Sequence, residues 1–382
     1  MSLNILYLAH DISDPAIRRR VLMLRAGGAR VSVAGFVRDE NRLAGEANVE
    51  LVVLGQTSDG RLGQRIAAVI NARFKLRQLL SGLSKPDIII ARNLEMLALS
   101  NAVSHHFGRV PIAYECLDIH RLLLDRGLKG RLVRAAEAHF GKAASLLMTS
   151  STAFVRHYFE PISGLNLPVL LVENKVLELT KPSNQRRGAR LPTVGEPWRI
   201  GWFGAIRCRK SFEILSRLTA SMAGQVEVII RGRVSPKEFP DFEQLLGASS
   251  HISFLGTYRN PEDLAEIYDQ VQFVWAIDFF EEGLNSEWLL PNRLYEGALH
   301  GAVPIALGGT ETGRFLKARG LGLLLDSAAP RALQARIEGL QLADYFAMST
   351  ALAQTDRAQW AIDQEGCESF VQFLSDVRLS SI

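Results

Sequence analysis

Residues 199–211 read RIGWFGAIRCRKS, an apolar run that stops at Gly204 and is followed by three cations, Arg207, Arg209 and Lys210. With a strand over Ile200–Phe203 and a helix starting soon after Lys210, this is a βα junction, where free N–H groups and the positive end of the helix make an anion site. Residues 289–304, LLPNRLYEGALHGAVP, run in the opposite sense: loop, helix opened by Pro291, glycine, then a strand at Val303–Ala306. Outward from these two segments the same alternation continues. Further strands are expected at Val226–Arg231, Ile252–Leu255, Phe273–Ile277 and Leu321–Leu325, and before them at Ile5–Ala9, Arg30–Gly35, Val49–Leu54, Asp87–Ala91, Ile112–Glu115, Leu146–Thr149 and Val169–Val172. Short apolar runs separated by amphipathic stretches are parallel strands with crossover helices, so the fold class is α/β with two doubly wound, Rossmann-like domains.

The length of 382 residues agrees with two cores, and 47% apolar against 22% charged residues excludes a mainly disordered chain. Residues 180–197, TKPSNQRRGARLPTVGEP, hold three prolines, two glycines and four cations without apolar periodicity, the composition of a linker. The expected organisation is an acceptor-side domain at 1–178, a linker at 179–197, a second domain at 198–360 and a C-terminal helical segment at 361–382. Charge divides along the same line: net +7 over residues 1–180 and −6 over 198–382. The halves are therefore expected to face different partners, an anionic acceptor or membrane surface for the first. Cys116, Cys208 and Cys367 are odd in number and widely spaced, which disfavours both a disulfide framework and a zinc site. No apolar run reaches the roughly 18 residues of a spanning helix, and Met1–His10 reads as a strand and not as a leader. The expected location is the cytoplasm or, peripherally, the inner face of the cell membrane.

Two segments carry candidate chemistry. Gly204 permits close backbone approach, and Arg207 and Lys210 add charge at the helix start, together a cradle for a diphosphate; an ordinary βα turn with solvated cations is the alternative. On the helix opened by Pro291, Asn292 and Glu296 share a face and Arg293 stands in the first turn. A carboxylate there can accept two ribose hydroxyls and a guanidinium can fork onto phosphate, whereas a capped helix with an Arg293–Glu296 surface pair is the simpler reading. No Walker A sequence is present, no G-x-G-x-x-G follows the first strand, and no D-x-D triplet or metal-ligand spacing occurs, so no metal or cofactor is expected.

Gly204…Lys210 followed by Pro291-Asn292-Arg293-Leu294-Tyr295-Glu296-Gly297-Ala298 and Gly301-Ala302-Val303-Pro304 resembles the donor domain of GT-B glycosyltransferases of the GT4 type. The P-N-R-x-Y-E form is similar to a branch seen in polysaccharide-assembly enzymes. The resemblance implies that Lys210, with Arg207, binds a nucleotide diphosphate, that Glu296 binds the ribose, and that Tyr258 with Asn260-Pro261-Glu262-Asp263 lies over base and diphosphate. By local pattern Asn260 also reads as a helix cap, with Pro261 at the first helical position. One departure stands out: eight positions before Glu296, where retaining members carry a glutamate, this chain has Trp288, with Glu281, Glu282, Asn285 and Glu287 nearby.

In the first half, Asp118 and His120 follow a strand end, where the resemblance implies a histidine that contacts donor sugar or supports catalysis. Asp11, Arg92 and Glu95 also follow strand ends and are acceptor-side candidates. Residues 122–142, LLLDRGLKGRLVRAAEAHFGK, read either as a basic membrane-facing stretch or as a crossover helix, and Arg18-Arg19-Arg20 is similarly open. Interleaved exposed aromatics are missing, so nucleic acid is not an expected partner. The resulting expectation is a sugar transferase using a nucleotide-sugar, by expectation a UDP-sugar, and a saccharide or polyprenyl-diphosphate-linked saccharide acceptor, with retention of configuration. A nucleotide-sugar 2-epimerase and a catalytically silent nucleotide-sugar-binding protein stay open as alternatives.

Overall fold

The computed structural model describes residues 2–38, 49–57, 62–180 and 195–380. The chain divides into two compact units, Met1–Glu173 with Asp363–Ile382, and Asn174–Ile362. Of the expected linker, residues 181–194 lie outside the described residues.

Unit one is built on a parallel sheet of β1 (Asn4–Ala9), β2 (Arg30–Val37), β3 (Glu50–Gln56), β4 (Ile88–Arg92), β5 (Ile112–Cys116), β6 (Leu146–Thr149) and β7 (Val169–Leu171), in the order β3-β2-β1-β4-β5-β6-β7. The run Ile88-Ile89-Ile90 has no exposure at all, because helices cover both faces of this central strand. In unit two the short strand β8 (Val176–Leu177) precedes a second parallel sheet of β9 (Trp198–Ile206), β10 (Val226–Val234), β11 (Ile252–Phe254), β12 (Phe273–Trp275), β13 (Val303–Leu307) and β14 (Leu323–Leu325), ordered β11-β10-β9-β12-β13-β14. Trp202 and Trp275 are buried in its core, where the Trp275 indole donates to Ser211 Oγ at 3.1 Å. The fold is thus α/β with two doubly wound parallel sheets, and each expected strand is present with its ends moved by up to three residues.

Four local readings are corrected. The helix near residue 210 starts at Arg209. The helix expected from Asn260-Pro261 begins at Leu264, because Asp263 accepts from the Arg259 backbone N–H (2.8 Å) and guanidinium (2.8 Å) and closes the preceding turn. The C-terminal helix starts at Gln364 and not at 361, since β15 (Ala361–Ile362) first pairs with β8. Residues 122–142 are not one stretch of helix: Arg121–Leu124 and Leu128–Gly141 are separate, broken where Asp125 accepts from the Gly127 N–H.

Arg20 is also reassigned. Its guanidinium is 3% exposed and donates from Nε to Glu115 at 2.6 Å, so it faces the core of unit one and not solvent or lipid. Among the described residues no helix is long and apolar enough to cross a membrane.

Candidate functional site

In unit two the strand order reverses between β9 and β12, and open α/β sheets bind ligands at the carboxyl ends of the strands on either side of such a reversal. Gly204 lies near that end of β9 with φ +106°, in register with Gly232 on β10 at φ +137°. A Cβ on Gly232 would come within 1.9 Å of the Gly204 carbonyl oxygen, so the two strand ends approach as bare backbone. Half-buried Tyr258 stands over Gly204: its hydroxyl is 3.9 Å from where a Gly204 Cβ would sit. Burial, then the charge of Glu296, raises the pKa of Tyr258 and keeps it a neutral hydrogen-bonding phenol.

The helix Arg209–Ser221 begins at this edge with Cys208 as its cap. Lys210 Nζ lies 2.6 Å from both carboxylate oxygens of Glu282 and 4.6 Å from the Phe279 ring centroid. Both partners are about half exposed, at 50% and 51%, so the pair is weak and a doubly charged phosphate can displace the carboxylate. Arg207 stacks on Phe280 at 4.6 Å and reaches Asp278 at 3.9 Å. Arg209, by contrast, is not a mobile cation of the cradle, because both of its terminal nitrogens bind Asp241, at 2.9 and 2.6 Å.

On the helix Asn292–Leu299 the alternative of a surface pair does not hold: Arg293 and Glu296 are buried, 8% and 5% exposed, and each has partners on other elements. Arg293 donates to the Ile277 carbonyl at 3.0 Å and lies 3.8 Å from Asp278, while its Nε is buried without a hydrogen-bond partner. Glu296 accepts from the Asn260 amide at 2.7 Å and from the fully buried Tyr268 hydroxyl at 3.2 Å. Asn292, at the start of the helix, is exposed and does not share the buried face of Glu296. Asp278 was not legible as a site residue; just past β12, 8% exposed, it stands between Arg207 and Arg293. Its position directly after an expected strand was the available signal. Of the carboxylates near Trp288, Glu282 is the one that meets Lys210, while Glu287 accepts from the Gly283 N–H at 3.1 Å.

In unit one the sheet reverses between β1 and β4, and the candidates there separate. Arg92 is not a loop side chain: it is 7% exposed and donates to Glu115 at 3.2 Å, beside Tyr7, whose hydroxyl also binds Glu115. His10, Thr57, Arg38, Arg65 and Glu95 line a small cavity at the same sheet edge, where Glu95 pairs with Arg65. Burial and then Arg92 and Arg38 push the His10 imidazole down to about 3, so it is neutral. Asp11 accepts from the Ser13 N–H and hydroxyl at 3.1 and 2.6 Å and lies 3.8 Å from Arg38. His120 and Asp118 are exposed. His120 Nδ1 accepts from the Leu122 N–H at 3.2 Å, which caps a short helix and leaves the proton on Nε2; partial burial and Arg65 lower its pKa.

Two parallel doubly wound sheets, each reversing its strand order at a switch point, give the chain the GT-B fold. Over its full length it superposes on sucrose-phosphate synthase from Thermosynechococcus elongatus with TM-score 0.76 at 14% identity, covering 100% of both chains. Anabaena Alr3699/HepE in complex with UDP and glucose gives TM-score 0.68 at 18% identity, again over 100% of both chains. No family model matches the chain. It is 50% identical over 382 residues to succinoglycan biosynthesis protein ExoL of Rhizobium meliloti (strain 1021), covering 99% of this chain and 95% of that protein. The chain belongs to the ExoL family.

Proposed function

We propose that the chain transfers a sugar from UDP-sugar to a saccharide acceptor during assembly of a succinoglycan-type exopolysaccharide, in the manner of GT4 enzymes. The observation that carries this reading is the convergence of Lys210, Arg207, Arg293 and Glu296 on the switch-point edge of one sheet. The relatives add support: HepE is described with UDP and glucose, and ExoL is named for succinoglycan biosynthesis.

In this reading Glu296 accepts the ribose hydroxyls, taking over from Asn260 and Tyr268. Lys210, Arg207 and the start of the helix Arg209–Ser221 meet the diphosphate, with Arg293 behind them. The acceptor hydroxyl oxygen bonds to sugar C1 as the bond from C1 to the diphosphate breaks; that bond's electron pair goes to the departing phosphate oxygen, which takes up the hydroxyl proton, and cations already held in place stabilise the developing charge. This chain's own side chains supply the charge, with no metal required, and the configuration at C1 is retained. Gly204 and Tyr258 shape the wall over the diphosphate. His120 and Asp118 act on the sugar, and Asp11 and Glu95 on an acceptor carried by a polyprenyl diphosphate at the membrane.

Thermal unfolding with UDP, GDP, ADP and their sugars tests the assignment. UDP and a UDP-sugar are expected to raise Tm, and Lys210→Ala and Glu296→Ala to abolish that rise. If no nucleotide raises Tm, the reading fails.

A further inference from the structure

The helix Leu62–Leu79, LGQRIAAVINARFKLRQL, has apolar residues on two opposite faces. Ala72 and Leu76, 1% and 5% exposed, form the face that packs into unit one. Ile66, Ile70 and Phe74 point the other way, 52%, 51% and 84% exposed. Spaced four apart, they make one outward stripe about 12 Å long. A helix on the surface of a globular protein normally presents charged and polar residues there. This one interleaves the stripe with Arg73 and Arg77, adds Lys75, and contains no aspartate or glutamate.

We propose that this face is a docking surface for an anionic phospholipid bilayer: Ile66, Ile70 and Phe74 enter the interface and Arg73 and Arg77 lie on the headgroup phosphates. Charge decides the occupant. A second copy of the chain would bring the same cations against this face and repel it, whereas an anionic leaflet complements it. The neighbouring helices extend the surface. Asn93–His106 packs beside Leu62–Leu79 on one side and Leu128–Gly141 on the other, and the latter exposes Leu128 and Leu132 by 75% and 71% together with Lys129 and Arg131. The inference rests on the lipid-linked acceptor of the proposed function and gives it a geometry. Arg65, one residue before the stripe, pairs with Glu95 in the acceptor-side cavity, so the helix that lines the cavity also touches the bilayer.

Co-sedimentation of the whole chain with vesicles of phosphatidylglycerol and phosphatidylcholine, against vesicles of phosphatidylcholine alone, tests this. The chain is expected to pellet with the anionic vesicles only. Both the triple variant Ile66→Gln, Ile70→Gln, Phe74→Gln and the double variant Arg73→Glu, Arg77→Glu are expected to reduce the bound fraction about tenfold or more with Tm unchanged. Equal pelleting of wild type and both variants, no preference for the anionic vesicles, or a dimer in solution that the triple variant dissolves would overturn the proposal. Nucleotide-induced Tm shifts, read on the same samples, separate the two readings: vesicle binding without a UDP shift removes the donor assignment and leaves the docking surface standing.

Discussion

The side-chain amide of Asn260 donates to Glu296 Oε1 at 2.7 Å, joining the turn before one helix to the middle of another. The carboxylate assigned to the ribose is therefore held in place by neutral donors, Asn260 and Tyr268, before any ligand arrives. Replacing the amide by a second carboxylate reverses the interaction. In Asn260→Asp two acids share one partly buried site, and one of them must take a proton. UDP affinity at pH 7.5 should fall by roughly tenfold or more and recover as the pH is lowered toward 5.5. Isothermal titration at the two pH values checks this.

Lys210 and Glu282 pair at the surface, so the lysine contributes little to folding. Lys210→Ala should cost about a hundredfold in kcat, the magnitude of losing one well-aimed donor to developing charge, while Tm stays near wild type. Glu282→Gln removes the competitor for the same ammonium and should leave UDP affinity equal or higher. A Kd weakened by Glu282→Gln would place that carboxylate on the donor.

Gly232→Ala tests the bare strand ends. The new Cβ would meet the Gly204 carbonyl at 1.9 Å in a backbone conformation of φ +137°, so β9 and β10 must separate. A loss of about 2–4 kcal/mol is expected from strain and overpacking together. Chemical denaturation measures it. Gly63→Ala, where a Cβ meets nothing within 4 Å, is the control and should be neutral or slightly stabilising.

Acid should destabilise the fold from a higher pH than ordinary carboxylates require. Burial holds His10 at about 3 and His300 at about 4, against 6.5 in the unfolded chain, so each contributes stability that is complete above pH 6.5 and is lost as the pH falls toward those values. Burial alone would raise Glu115, but Arg20 and Arg92 hold it down, to about 2 from 4.5, so its contribution is lost between those values. Glu137 runs the opposite way: burial raises its pKa, and its contribution fades as the pH rises through the raised value. Tm should therefore climb from pH 4 to 6.5, and His10→Phe should flatten the upper part of that rise.

The sheets were legible because a parallel strand covered on both faces, such as Ile88-Ile89-Ile90, writes itself as an unbroken apolar run between helical stretches. Glu296 and Lys210 could be singled out as candidates because their types and order are local. What escaped was decided by partners far along the chain. Asn260 has every local mark of a helix cap, yet Glu296, 36 positions away, takes its amide. Arg20 reads as one of three surface cations until Glu115, 95 positions on, turns it inward. Asp278 announces itself by no motif and matters because two arginines from separate elements meet over it. The pairing of β8 with β15 joins segments of two and two residues, too short for any periodicity to mark.

Unit one is assembled from two separated pieces, and the helix Gln364–Ser380 packs against Pro15–Ala26 within it, with Gly27 so close to the Cys367 carbonyl that a Cβ would stand 2.3 Å away. During synthesis, then, the half of the protein that emerges first cannot finish folding until residues 363–380 have left the ribosome. The second unit, though made later, has all its parts first, and the newborn chain must shield the open flank of the Pro15–Ala26 helix for most of its translation.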